Sequence, residues 1–403
     1  MLLQAGQLLS NLGTQMSVIA YPLLVLALTG SAAKAGFVGF VRFLPRAVLA
    51  LPAGVVADRW NRKWLMVGSD AVRVVAVSVL VAAIVLDVAS FWVIAVIAFV
   101  DALAGTFFSA AYPGAVRSVV TTTQLPDAMA VQTGRGAIVG LAGAPIGGAL
   151  FTVGRALPFV ADVLSYAFST LSVLLMRASF QEERERDKTP LRGQLTEAVR
   201  FIWHQPFLRM CALVFGPLNF VAFSLVFSLV VIGTDQGLSG GAVGLLLSLF
   251  FGCALLGTFL ASSVRRLLPP WGVLVLEIWT WTGCVAFLVW PNVYVLVVSM
   301  VPSALAMPST DSVVHGYRIA MTPDRLLGRA EAAWSTFAVL MATLAPLVMG
   351  VLIENVSARA AVGLAAAIAL VLAVTATLSP AIRAAPEIGE LAEVPVAPAT
   401  EAL

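Results

Sequence analysis

The 403-residue chain is 60% hydrophobic and only 11% charged, with a mean hydropathy of +0.97. Soluble proteins carry about 25% charged residues, so a wholly water-exposed surface is excluded and lipid is the solvent for most of the chain. The net charge of +3 is too small to mark a nucleic-acid partner, and Cys211, Cys253 and Cys284 stand far apart inside apolar runs, which excludes a disulfide framework or a metal cluster.

A helix needs ~20 apolar residues to cross ~30 Å of hydrocarbon. The hydropathy pattern predicts twelve such spans, near 1–28, 35–57, 64–86, 90–112, 128–153, 157–177, 207–232, 242–264, 271–290, 293–313, 330–353 and 359–380. No basic region precedes the first run, so a cleavable signal peptide is not expected. Spans two and three are joined by Gly54-Val-Val-Ala-Asp58-Arg59-Trp-Asn-Arg62-Lys63, a tight basic turn. Placing that turn in the cytoplasm and alternating puts 17 basic residues on its side: Arg59, Arg62, Lys63, Arg117, seven between Arg177 and Arg209, Arg265, Arg266, Arg318, Arg325, Arg329 and Arg383. The opposite side holds 3, Lys34, Arg155 and Arg359. By the positive-inside rule both termini are then expected in the cytoplasm of a cell-membrane protein.

The longest connection, 178–206, follows span six. Within it, Leu191–Trp203 reads as an amphipathic helix with Leu191, Leu195, Val199 and Ile202 on one face. Dividing the chain there predicts a bundle over 1–177, a linker over 178–206, a second bundle over 207–380 and a disordered tail over 381–403. A faint repeat supports duplication. Val116-Arg117 to Asp127 resembles Tyr317-Arg318 to Asp324, and Gly257–Arg266 is the counterpart of the basic turn with Ser262 near its acidic position.

Ionisable residues inside spans are functional candidates, because each costs about 2.5–3.5 kcal/mol at the bilayer centre. Asp101 lies at mid-depth in span four and Arg46 at comparable depth in span two, with Arg42 one turn away on the same face. Asp101 is expected to pair with Arg46 or Arg42, either as a fixed ion pair or as a group that exchanges a proton in one conformer. Asp70 and Arg73, at i and i+3, are placed toward the cytoplasmic end of span three as a pair supporting the turn. Arg135 and Glu277 face a cavity or pair structurally, and Asp162, close to the outer end of span six, is expected to be hydrated.

The turn's spacing, G-x-x-x-D-R-x-x-R-[RK], resembles motif A of the major facilitator superfamily. Gln7-Leu-Leu-Ser10-Asn-Leu-Gly13, Pro22, Leu28-Thr-Gly-Ser31, Pro45, Ala57-Asp58-Arg59 and Asp70-x-x-Arg73 resemble its macrolide-efflux and enterobactin-exporter-like branch. That resemblance implies two six-helix bundles, alternating access and export of a small molecule, commonly by proton antiport. It implies that Gly54, Asp58, Arg59, Arg62 and Lys63 form a conformational latch. On physical grounds Gly54 would let a helix approach closely, and Asp58 would accept hydrogen bonds from a facing helix N-terminus.

Gly140-Leu-Ala-Gly143-Ala-Pro145-Ile-Gly147-Gly148 resembles the antiporter motif G-P-x-x-G-G with the proline displaced by one, and reads equally as ordinary close packing. In this fold the substrate would be met from spans one, four, seven and ten, making Asn11, Gln15, Phe107, Phe108, Asn219, Phe220, Phe223 and Phe227 cavity candidates. A monomer without cofactor or metal is expected, its partners being an amphiphilic small molecule, protons and the bilayer. Two rival classes find little support. An enzyme would need a catalytic cluster where only His204 and His315 occur, and no P-loop is present for ATP hydrolysis. A receptor or scaffold with a carrier fold, or a uniporter or importer, stays open as the alternative.

Overall fold

The computed structural model describes residues 2–119, 125–176 and 191–385. Side chains of 2–5, 117–119, 125–131, 133, 137, 191–195 and 324–325 fall outside the description. So does the expected tail beyond 385.

Every described element is helical, and twelve helices are long and apolar enough to cross a membrane. The physical cause is the solvent: hydrocarbon satisfies no backbone N–H or C=O, so each crossing segment bonds within itself. In the first half these are α1 (Leu2–Thr29), α2 (Ala32–Arg59), α3 (Arg62–Val85), α4 (Phe91–Val119), α5 (Leu125–Val153) and α6 (Leu157–Leu175). The connecting helix α7 (Leu191–His204) leads to α8 (Pro206–Asp235), α9 (Gly240–Leu267) and α10 (Pro270–Trp281). A 3₁₀ turn at Thr282–Val285 continues α10 into α11 (Ala286–Val289), and the three pieces form one span. Then come α12 (Val293–Met321), α13 (Asp324–Asn355), α14 (Ala358–Leu378) and the short α15 (Pro380–Arg383). All twelve predicted spans are present. Those of α4, α12 and α13 run longer than hydropathy indicated, because their polar ends stay helical. The start of the expected tail is helical, since α15 covers 381–383 and Ile382 is fully buried.

Turn chemistry recurs in the two halves. Gly30 (φ 63°) ends α1 and Ser31 caps α2, accepting from Lys34 N at 3.1 Å. Gly237 (φ 82°) follows α8 and Ser239 caps α9, accepting from Ala242 N at 3.3 Å. Left-handed backbone there is what glycine adopts without a Cβ penalty. Helices α1–α6 pack mainly on one another, as do α8–α14, and the halves meet through α2 on α13, α5 on α9 and a smaller contact of α1 with α8. Exposed Trp60 and Trp64 mark one membrane face and exposed Trp92 and Trp290 the other, the arrangement expected of aromatic belts. These are the Trp60 face and, opposite it, the Gly30 face.

The connecting helix departs from its predicted face. Ala198 and Ile202 are buried, Val199 is half exposed, and Glu197 pairs with Arg329 of α13 at 3.3 Å. Helix α7 therefore rides on the second half.

Candidate functional site

The basic turn ties together four helices of the first half at the Trp60 face. Asn61 caps α3, accepting from Lys63 N (3.0 Å) and Trp64 N (3.4 Å). Lys63 Nζ donates to the carbonyls of Leu174 (3.0 Å) and Met176 (2.5 Å), placing a cation at the C-terminal end of α6. Arg62 lies over Gly114 of α4, where a Cβ would stand 2.5 Å from its Cζ, and donates to Asp58 at 3.3 Å. Arg59 is exposed. Two expectations are not met in this conformer. Among the described residues no atom beyond its own helical turn lies within 4 Å of where a Cβ of Gly54 would be, and Asp58, 72% exposed, pairs inside its own turn rather than with a facing helix.

At mid-depth the first half encloses a polar network drawn from all its helices but α5. Asp101 of α4 is the hub: Arg73 Nε donates to it at 3.0 Å, Arg42 Nη2 stands 3.7 Å away, and the Tyr166 hydroxyl donates at 3.3 Å. Arg73 stacks 3.7 Å over the Tyr166 ring, donates to the Tyr166 hydroxyl and to Thr14 Oγ1 (3.0 Å), and lies 3.6 Å from Asp70. Arg42 rests over the Tyr21 ring at 4.3 Å and donates to the carbonyl of Ser17 at 2.9 Å. The Ser17 hydroxyl donates to Asp162 at 2.5 Å. Of the two arginines proposed for Asp101, only Arg42 reaches it; Arg46, one turn nearer the Trp60 face, is exposed.

Two more placements are corrected. Arg73 is the twelfth residue of a 24-residue helix, hence central in the span rather than near its end, and its main partner is Asp101. Asp162 is fully buried, not hydrated, because Gly13 of α1 admits α6 so closely that a Cβ there would lie 2.7 Å from Asp162 Oδ1. The sequence carried a signal for this: Asp162, Ser165, Tyr166, Ser169 and Ser172 form a polar stripe at helical spacing, and all are buried.

The seam between the halves is tight toward the Gly30 face. Glu354, at the end of α13, accepts from Ser31 Oγ (2.5 Å) and Ala33 N (2.7 Å) at the start of α2. Nothing in the sequence pattern singled this residue out. Gly36 and Gly350 stand against each other, and Cβ atoms at Gly244 would meet Ala144 O at 2.5 Å and Pro145 Cα at 2.8 Å. The glycine motif of α5 serves both sides. Gly143 and Gly147 pack on Gln15 and Met16 of α1, while Gly148 packs on Gly240 and Gly140 lies near Phe251, both of α9. Toward the Trp60 face, Cβ atoms at Gly54, Gly134, Gly136 and Gly328 would meet nothing within 4 Å among the described residues.

Among the cavity candidates, Asn11, Gln15, Phe107, Asn219, Phe220 and Phe223 are half-buried. Phe223 meets Phe43 of α2 edge-on at 5.4 Å, across the seam. Phe108 and Phe227 are buried, Phe108 with Ala57, Met66 and Tyr112 inside the first half, and so are no cavity wall in this conformer. Arg135 of α5 is buried and donates to the Tyr112 hydroxyl at 3.1 Å, away from Asp101's partners. In the second half Glu277 is buried and accepts from Trp281 Nε1 at 3.4 Å. Gly257 packs on Leu305 of α12, unlike its open counterpart Gly54.

The chain matches the transmembrane secretion effector family over residues 2–400. It is 25% identical over 188 residues to macrolide efflux protein A of Streptococcus pyogenes, covering 46% of each chain. With the multidrug efflux pump Tap of Mycolicibacterium fortuitum it shares 28% identity over 224 residues, 53% of this chain and 54% of that one. The alignments thus span about half the length of these curated relatives. Among solved structures, a variant of the nucleoside transporter NupG superposes with a TM-score of 0.73 at 13% identity, covering 94% of this chain and 99% of that one. A bacterial homologue of the lysosomal transporter Spinster, in an inward-facing and unoccupied conformation, gives 0.73 at 15% identity over 95% and 96%. Family and fold are those of transporters, not enzymes. The chain belongs to the transmembrane secretion effector family and has the major facilitator fold of twelve membrane-spanning helices.

Proposed function

We propose that the protein is a secondary active transporter that exports a small amphiphilic molecule from the cell by proton antiport. The observation carrying this reading is the asymmetric seam, closed by Glu354 and paired glycines near the Gly30 face and unsealed at Gly54 and Asp58. Two halves that touch at one end and part at the other present a site to one side of the membrane at a time. Basic residues put the Trp60 face and both termini in the cytoplasm of the cell membrane, so this conformer is open inward. Residues 1–177 and 207–380 form the moving bundles of a monomer, with 178–206 as linker.

The turn Gly54–Lys63 is then a latch in its released state. In the outward-open conformer the cytoplasmic ends close, and Asp58 leaves Arg62 for the N-terminus of α13, where a helix dipole favours an anion. Asn11, Gln15, Phe107, Asn219 and Phe223 line the substrate path, joined by Phe108 and Phe227 when the seam rearranges. Coupling resides in the buried network of Asp101, Arg42 and Arg73, with Arg46 at the mouth of the seam and Arg135 holding α4 to α5. Export, rather than uptake, is supported by the efflux function in the names of the curated relatives.

Everted vesicles from an expressing strain test the proposal, with a macrolide and the fluorescent cation ethidium as probes. An acidic lumen should drive probe accumulation, and a protonophore should abolish it. Accumulation that persists with the protonophore, or none above that of vesicles lacking the protein, overturns the antiport reading.

A further inference from the structure

Three carboxyls and two guanidiniums share the interior of the first half: Asp70, Asp101 and Asp162 against Arg42 and Arg73. With all five ionised the cluster holds one negative charge in excess. The three acids are not equivalently placed. Asp101 has guanidinium nitrogens at 3.0 and 3.7 Å and Asp70 has one at 3.6 Å. Asp162 has no Lys or Arg nitrogen within 4.0 Å among the described residues; its partners are the hydroxyls of Ser17 at 2.5 Å and Ser165 at 3.5 Å. It is also fully buried. An ionised carboxylate in such a place lacks the compensation that a paired one has. The charged and titratable groups facing it from neighbouring helices are Asp101 on α4, Arg73 on α3 and Arg42 on α2, with Tyr21 on α1 and Tyr166 on α6 near the same cluster.

We propose that Asp162 is the proton-binding group of the first half, and that Ser17 transmits its protonation to Arg42. This deepens the antiport reading and rests on it for the role of the proton, not for the site. Ser17 touches both partners: its hydroxyl donates to Asp162 and its carbonyl accepts from Arg42. When a proton from water adds to Asp162 Oδ2, a new O–H bond forms and the carboxyl becomes a donor. The Ser17 hydroxyl must turn from donor to acceptor, and the cluster's excess charge falls from one to zero. Arg42 then balances Asp101 alone. Arg42 sits on α2, the helix that Ser31 caps and that carries Ala33 and Gly36 of the seam. A change in the hold on Arg42 therefore acts on the helix that closes the Gly30 face. Release of the proton reverses each step.

Infrared difference spectroscopy of the full-length protein in nanodiscs, stepped in pH across the neutral range, reads carboxyl protonation directly. Wild type should show a protonated-carboxyl band that appears reversibly on acidification. Asp162→Asn should lose that band, Asp162→Glu should restore a displaced one, and Asp101→Asn, which removes the cluster's excess negative charge, should retain it with its midpoint moved to lower pH. Ser17→Ala should shift its pH midpoint. A band that survives Asp162→Asn, or the absence of any titrating carboxyl band in wild type, overturns the assignment. Vesicle transport separates the two ideas. A titrating Asp162 band together with gradient-independent efflux leaves the proton site standing and removes antiport. Gradient-driven efflux unchanged in Asp162→Asn removes Asp162 from coupling.

Discussion

Glu354→Gln isolates the contact that closes the Gly30 face. The carboxylate accepts from Ser31 Oγ at 2.5 Å and from Ala33 N at 2.7 Å, joining the end of α13 to the first turn of α2. A hydrogen bond to a charged group is worth about 1.5–3 kcal/mol when sheltered, and an anion at a helix N-terminus adds about 0.3–1 kcal/mol. Glu354 itself is exposed, so water competes for both donors and solvent screening reduces the total. The amide oxygen that replaces this carboxylate oxygen in the variant can still accept from both donors, but as weaker neutral bonds. A net loss of about 1 kcal/mol is expected, which at RT of about 0.59 kcal/mol moves the ratio of conformers roughly fivefold toward an open Gly30 face. Spin labels at Val153 of α5 and Val356 beyond α13, both exposed on that face and in opposite halves, measure it by pulsed dipolar spectroscopy. The longer-distance population should grow in Glu354→Gln, and Glu354→Asp should fall between. An unchanged distribution, or one moved toward closure, refutes the clasp.

Asp101→Asn leaves the buried Arg73 and the half-buried Arg42 beside a neutral amide, so a destabilisation of about 3 kcal/mol is expected, seen as a lowered melting temperature in detergent. By contrast, Asp58→Asn touches an exposed side chain and should leave melting unchanged while slowing transport, because the cost falls on the conformer in which the latch engages. Gly244→Val places side-chain atoms against Ala144 O and Pro145 Cα; transport should be lost with normal membrane insertion, and the spin-label distance across the Gly30 face should lengthen. Lys63→Ala removes two bonds to carbonyls ending α6, and a loss of about 1 kcal/mol is expected in the melting transition.

The number and type of elements were legible in the chain because the bilayer imposes its demands locally. Any segment that crosses must satisfy its backbone within itself, so hydropathy over ~20 residues located all twelve spans. Asp101 was likewise visible as a costly charge inside a span, with Arg46 read at matching depth and Arg42 one turn away. What no local pattern held was the rotation of each helix and its depth against the others. Arg42 and Arg46 share a face by spacing, yet a one-turn difference of ~6 Å puts only Arg42 on Asp101. Asp162 looked hydrated from its place near a span end, but the approach of α1 at Gly13 seals it inside. Glu354 meets Ser31 from 323 residues away, and only the packing of α13 on α2 makes it a clasp. Side-chain pairing in a helical bundle depends on these packed contacts, and so the charge network and the seam belong to the tertiary structure.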